Sequence, residues 1–173
     1  MSAQNAWVLR LPWSIIEDVA DAENVPKNLL GAIVQTESSN NKYAVRFEPH
    51  FKWLFKTKDF ARDCGITEAT ETVMQMTSWG SCQLMGALLR ELGHKGPMVL
   101  ACDESVNITY CAKYLKRLAA RFKEGDDIIA AYNAGSPVKG MDGRYKNQTY
   151  VDKVKLYLSA IDAVMGAKNG KVT

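Results

Sequence analysis

Apolar residues along this chain recur at three- and four-residue spacing far more than at alternate positions, so nearly every patterned segment predicts a helix. The first runs from Ser14 to about Asn24, with Ser14 and Glu17 spaced as a capping box ahead of Val19 and Ala20. Behind Pro26, which suits a first helical position, Leu29, Leu30, Ile33 and Val34 form one stripe. Further helices are predicted from Thr67 to Met76, from Leu84 to Leu92 with Gly93 as its cap, and from Asp103 to Phe122 before Gly125. Asp126 or Asp127 caps a short apolar helix that passes Tyr132 and ends at Gly135, and a loop rich in glycine precedes a last helix from about Asn147 to Val164. Only Tyr43 to Pro49 reads as an extended piece, ahead of a crowd of aromatic residues at Phe51, Trp53, Phe55 and Phe60. The expected fold is mainly α, with at most a short β piece near residues 43–48.

One residue breaks the pattern. Glu37 lies four residues beyond Ile33 and eight beyond Leu29, on the apolar stripe, so its carboxylate is expected to face the core side. Burial and the negative end of the helix dipole both disfavour the ionised form, and both would raise its pKa. A carboxylic acid kept protonated near neutral pH suits general-acid chemistry such as glycosidic bond cleavage, although a buried ion pair would explain the same position.

Length and composition narrow the picture. A chain of 173 residues, 47% apolar, suits one domain spanning 1–173. The net charge of +3, from 22 basic and 19 acidic residues, allows loose attraction to an anionic polymer but carries no nucleic-acid signature. Lys113, Lys116, Arg117, Arg121 and Lys123 read as the solvated side of their helix. No run is long and apolar enough to span a bilayer, and the N-terminus has no basic segment, apolar core and cleavage site in series. The expectation is a monomer made in the cytoplasm without a signal peptide. Cys64, Cys82, Cys102 and Cys111 lack zinc-knuckle spacing, and only His50 and His94 could assist them, so no metal site is predicted. Free thiols or a single disulfide are the two readings left.

Two further segments carry chemistry. In Ser78-Trp79-Gly80-Ser81-Cys82-Gln83-Leu84-Met85-Gly86, glycines bracket a polar and thioether cluster that is expected to open a helix. Gly80 lets backbone approach a ligand, and Gln83 offers amide donors and an acceptor suited to sugar hydroxyl and acetamido groups; the alternative is a buried turn around a satisfied glutamine. In Ala130-Ala131-Tyr132-Asn133-Ala134-Gly135, the Tyr132 hydroxyl can hold a carboxylate in place or simply pack.

Taken in order, Glu37-Ser38, Gly80-Ser81-Cys82-Gln83-Leu84-Met85 and Ala131-Tyr132-Asn133-Ala134-Gly135 resemble the three motifs of the soluble lytic transglycosylase domain, and Thr149 to Val154 resembles its closing Tyr-Val helix. The resemblance covers a core of about residues 26–158. Ser81 and Cys82 stand where the family usually has Leu and Met, and the stretch between Glu37 and Gly80 is longer and more aromatic than usual. Tyr43 to Pro49 together with Ser78-Trp79-Gly80 looks most like the small bacteriophage-encoded members, an endolysin or a virion-associated enzyme, for which a missing leader is unsurprising.

The resemblance implies a lysozyme-like (goose-type) helical fold, no cofactor, and peptidoglycan glycan strands as substrate. It implies that Glu37 protonates the oxygen between N-acetylmuramic acid and N-acetylglucosamine, then deprotonates the muramyl 6-hydroxyl that closes a 1,6-anhydro ring. Gln83 and Tyr132 would orient sugar and acid, Met85 would pack on the glycan, and Ser38, Ser39, Trp79, Ser81 and Asn133 would line the groove. Glu48 keeps a hydrolytic muramidase open, because such enzymes use a second carboxyl group; it could equally pair with Arg46 or His50 and shape its loop. A wall-binding or virion structural protein without activity is the rival from another class.

Overall fold

The computed structural model describes residues 3–169. It divides into two compact units, one formed by the chain up to Thr36 and from Ala112 onward, the other by Glu37–Cys111.

In the first unit a 3-10 helix, Ala3–Arg10, leads into α1 (Trp13–Glu23), and the indole Nε1 of Trp13 donates to the Val8 carbonyl at 2.7 Å. The expected capping box does not form. Pro12 is the residue before the helix, no side chain caps it, Ser14 lies within the first turn, and Glu17 is bonded instead to Lys27 Nζ at 2.7 Å. Asn24, left-handed at φ 55°, closes α1. Helix α2 (Lys27–Ser38) follows, with the Pro26 carbonyl accepting its first ladder bond from Leu30 N at 3.1 Å. Leu30, Ile33 and Val34 are fully buried, whereas Leu29 is half-buried. Gly31 is held against α1 and the last helix so closely that an added Cβ would sit 3.0 Å from the Trp13 ring. The unit is completed by α7 (Gly125–Ala134) and α8 (Gln148–Asn169), which pack on each other. The edge-on contact of Trp7 and Tyr157, 5.1 Å between centroids, fixes the 3-10 helix to α8.

The second unit holds a three-stranded antiparallel sheet in the order β1 (Val45–Phe47), β2 (Thr77–Trp79), β3 (Leu84–Met85). The extended piece expected near residues 43–48 is β1; the other two strands lie in a stretch expected to begin a helix. Between β1 and β2 come α3 (Thr57–Cys64), which sequence pattern did not indicate, and α4 (Glu68–Gln75), whose N-cap Thr67 accepts from Thr70 N at 3.1 Å as expected of a threonine cap. After β3, α5 (Gly86–Glu91) starts two residues later than its pattern indicated, because Gly86 is pressed against the end of α4 and a Cβ there would run into the Met74 carbonyl. A second 3-10 helix (Met98–Cys102) precedes α6 (Glu104–Ala119), and the boundary between units falls inside α2 and α6.

At the centre of the second unit, Glu71 of α4 and Arg90 of α5 form a two-pronged ion pair with both side chains fully buried: Nε to Oε1 at 2.8 Å and Nη2 to Oε2 at 2.9 Å. Arg90 Nη1 donates to the His94 and Gly96 carbonyls, and Gln75 Nε2 donates to Glu71 Oε1 at 2.9 Å. The guanidinium also lies 4.5 Å from the Phe60 ring centroid, which is what anchors α3.

Candidate active site

Glu37 is the next-to-last residue of α2 and is half-buried, on the same face of the helix as Ile33 and Val34. Its surroundings are set by its neighbour. Ser38 Oγ donates to the Ser81 carbonyl at 2.8 Å and accepts from Asn41 N at 2.9 Å, so one hydroxyl ties the helix exit to the turn between β2 and β3. Ser39 and Asn40 then take left-handed backbone at φ 56° and 65°, which turns the chain sharply toward β1; Ser39 is exposed. Burial first, then the hydrogen bond and charge interaction with Cys111, push the Cys82 thiol well up from its ordinary value, with Ser81 opposing and Glu37 adding least.

The β2–β3 turn is a polar structure built from within. Gly80 sits at φ 72° and Gln83 at φ 47°. Gln83 Nε2 donates to the Ala44 carbonyl at 3.0 Å and to the Gly80 carbonyl at 2.9 Å, while its Oε1 accepts from Ser78 Oγ at 3.0 Å. Both amide protons therefore hold β1 and the turn together, which is the satisfied-glutamine arrangement. Ser81 is fully buried and donates to Asn107 Oδ1 at 3.3 Å, so its side chain builds the turn from the inside. Trp79 is half-buried with its indole donating to the Met74 carbonyl at 2.9 Å, and Met85 is half-buried at the head of α5.

The residue that organises this turn is one that sequence reading did not single out. Asn107 of α6 is fully buried; its Nδ2 donates to the Trp79 and Ala101 carbonyls, each at 2.9 Å, and its Oδ1 accepts from Cys82 N at 2.8 Å. A Cβ on Gly80 would run into Asn107 Nδ2, so the glycine is required by this close approach. The only sequence signal was a lone asparagine among apolar helix positions. Asn107→Ala removes partners from three buried backbone groups, and a loss of about 2–3 kcal/mol is expected, read as a lower urea midpoint at unchanged slope.

Glu48 lies just beyond β1, where its carboxylate pairs with Arg46 Nε and its backbone N–H donates to the Met76 carbonyl at 2.8 Å. The Arg46 side chain is 75% exposed. The first unit contains Tyr132 and Asn133, at the last turn of α7. Tyr132 is buried with its ring 5.3 Å from that of Tyr114, and Asn133 is exposed, its Oδ1 accepting from Asn147 Nδ2 at 3.0 Å. Asn147, another residue missed in the sequence, also donates to the Ala130 carbonyl at 3.0 Å, and Gly135 at φ 75° closes the helix as expected. None of the four cysteines is in a disulfide, and among the described residues no group of three or more His, Cys, Asp or Glu could hold a metal ion.

The Transglycosylase SLT domain family matches residues 14–157. The chain belongs to this family. The SLT domain family comprises lytic transglycosylases, whose polymer is peptidoglycan, and the mainly helical architecture with one small sheet agrees with its lysozyme-like fold. Protein IpgF of Shigella sonnei and Protein IpgF of Shigella flexneri are each 29% identical over 123 residues, 71% of this chain and 66% of the relative. The match thus spans just under two thirds of those relatives' length. No solved structure matches. Glu37, the 80–85 turn and Tyr132 all lie inside the span matched by the SLT domain. Among the described residues no helix is long and apolar enough to cross a membrane.

Proposed function

We propose that this SLT domain is a monomeric peptidoglycan lytic transglycosylase that cleaves the β-1,4 bond between N-acetylmuramic acid and N-acetylglucosamine and leaves 1,6-anhydromuramyl ends. Glu37 first gives its proton to the glycosidic oxygen as that bond breaks. The substrate's own acetamido group stabilises the charge at the anomeric carbon. Glu37, now a carboxylate, takes the proton of the muramyl 6-hydroxyl, whose oxygen closes the anhydro ring on that carbon. The carboxyl ends as it began, and no water is consumed. Ser38, Gln83 and Asn107 act by fixing the turn beside Glu37. Trp79, Met85 and Ser39 offer surface to the glycan, and Tyr132 and Asn133 serve at the end of α7.

The observation that carries the reading is the contrast between the two carboxylates. Glu37 is half-buried on the apolar face of α2 with its helix end tied to the turn, while Glu48 is engaged with Arg46 on the exposed edge of the sheet. One sheltered acid supports the mechanism that needs one. The resemblance of residues 43–49 and 78–80 to phage-encoded members supports action on the wall at phage lysis or from the virion.

Mass spectrometry of the muropeptides released from purified peptidoglycan tests the reaction directly. Anhydro ends are expected. Reducing ends would overturn the transglycosylase reading in favour of a hydrolase in which Glu48 supplies the second carboxyl.

A further inference from the structure

The stretch between Glu37 and Gly80 has a surface of consistent chemistry. Tyr43 is 71% exposed, Val45 51%, Phe47 50% and Trp53 74%. Val45 and Phe47 project from the same face of β1, and the register Val45↔Trp79 brings Trp79 onto that face. Phe51 supports Trp53 edge-on at 5.6 Å between centroids. The segment is also basic. Lys42, Arg46, Lys52, Lys56 and Lys58 face Glu48 as the single acidic residue between positions 42 and 58, which more than accounts for the chain's net +3. All five basic residues are exposed, and Lys42 lies 5.1 Å above the Tyr43 ring.

The strip is continuous with the turn beside Glu37. The Ala44 carbonyl accepts from Gly80 N at 2.8 Å and from Gln83 Nε2, and β1 is an edge strand of the sheet. Exposed aromatic rings at this density on a folded domain mark a binding surface. Flat rings fit the apolar faces of sugar rings, and the surrounding ammonium groups fit carboxylates.

We infer that the aromatic and basic strip from Lys42 to Lys56 binds the polymeric wall: sugar rings of a glycan strand lie on Tyr43, Phe47 and Trp53, and the carboxylates of its peptide stems pair with Lys42, Lys52 and Lys56. The inference rests on the proposed function for its polymer. It assigns the strip to retention on an extended, multiply charged strand, separate from the bond-cleaving step.

The test uses the full chain carrying Glu37→Gln, so that the wall is not digested, in co-sedimentation with insoluble peptidoglycan sacculi. Adding Tyr43→Ala and Trp53→Ala is expected to weaken sedimentation about tenfold, as loss of aromatic anchors does. Adding Lys52→Gln and Lys56→Gln is expected to weaken it at low salt and to flatten its salt dependence. In the otherwise wild-type chain, the aromatic pair is expected to leave turnover of short soluble muropeptides unchanged. These side chains are exposed, and an unchanged thermal midpoint verifies that the variants fold. Sedimentation equal to that of the parent would overturn the inference. So would retention on an oligonucleotide or on anionic vesicles without retention on sacculi. A wild-type chain that releases no muropeptides yet loses sacculus binding through the aromatic pair would sink the catalytic reading and leave this surface standing.

Discussion

Glu37→Gln is expected to lower release of muropeptides by roughly 10²- to 10⁴-fold, the range that a positioned general acid contributes. The amide keeps the size and shape of the side chain but has no proton to transfer to the glycosidic oxygen and cannot take one from the 6-hydroxyl. The Ser38 bridge to the turn does not depend on the Glu37 side chain, so the variant is expected to unfold near the wild-type midpoint and still sediment with sacculi. Glu48→Gln provides the contrast. It breaks an ion pair whose arginine is largely exposed, worth at most about 1 kcal/mol, and with a single-carboxyl mechanism it leaves turnover within a few-fold of wild type. Equal clearing by wild type and Glu37→Gln would remove the acid from the mechanism; loss of activity in Glu48→Gln, with folding intact, would make the enzyme a two-carboxyl hydrolase.

The largest stability effect is expected at a pair that touches no substrate. Glu71→Ala leaves the Arg90 guanidinium buried, with Nε stripped of its carboxylate partner, Nη2 left only the Cys64 sulfur at 3.7 Å, and Gln75 Nε2 deprived of its bond to Oε1. Isolating one charge of a buried pair costs about 3–5 kcal/mol, against a total stability of about 5–15 kcal/mol for an ordinary domain. The expected result is a sharp fall in thermal midpoint and in soluble yield. Replacing both partners, as in Glu71→Leu with Arg90→Met, is expected to recover much of the loss, since no charge then remains in the interior. A Glu71→Ala protein with wild-type stability would show that water reaches the guanidinium and that the pair is not sealed.

The helices α2, α4, α6, α7 and α8 were legible because their apolar positions recur within a few residues and because Pro26, Thr67 and Gly135 mark boundaries through backbone geometry alone. Glu37 was legible for the same reason, as a carboxyl falling on a stripe already defined by Ile33 and Val34. The hairpin at Thr77–Met85 was not. Strands of three and two residues are too short to show a period, and their turn depends on Asn107, which contacts it from 25 to 28 residues away. Helix α3 was missed because it is only eight residues long and has no capping side chain at its start: its apolar side is Phe60, Ala61 and Cys64, and Phe60 is held by Arg90, thirty positions along the chain.

Local sequence therefore determined the mainly helical class and singled out Glu37 as the candidate acid, both of which depend on spacings within about one or two helical turns, and it carried the order of the family motifs along the chain. Tertiary structure decided which polar groups build the site. Ser38 meets Ser81 across 43 residues, Gln83 meets Ala44 across 39, and Glu71 meets Arg90 across 19. Such pairs are chosen by which buried donors and acceptors must satisfy one another once the chain has closed its loops, and no local spacing encodes that choice.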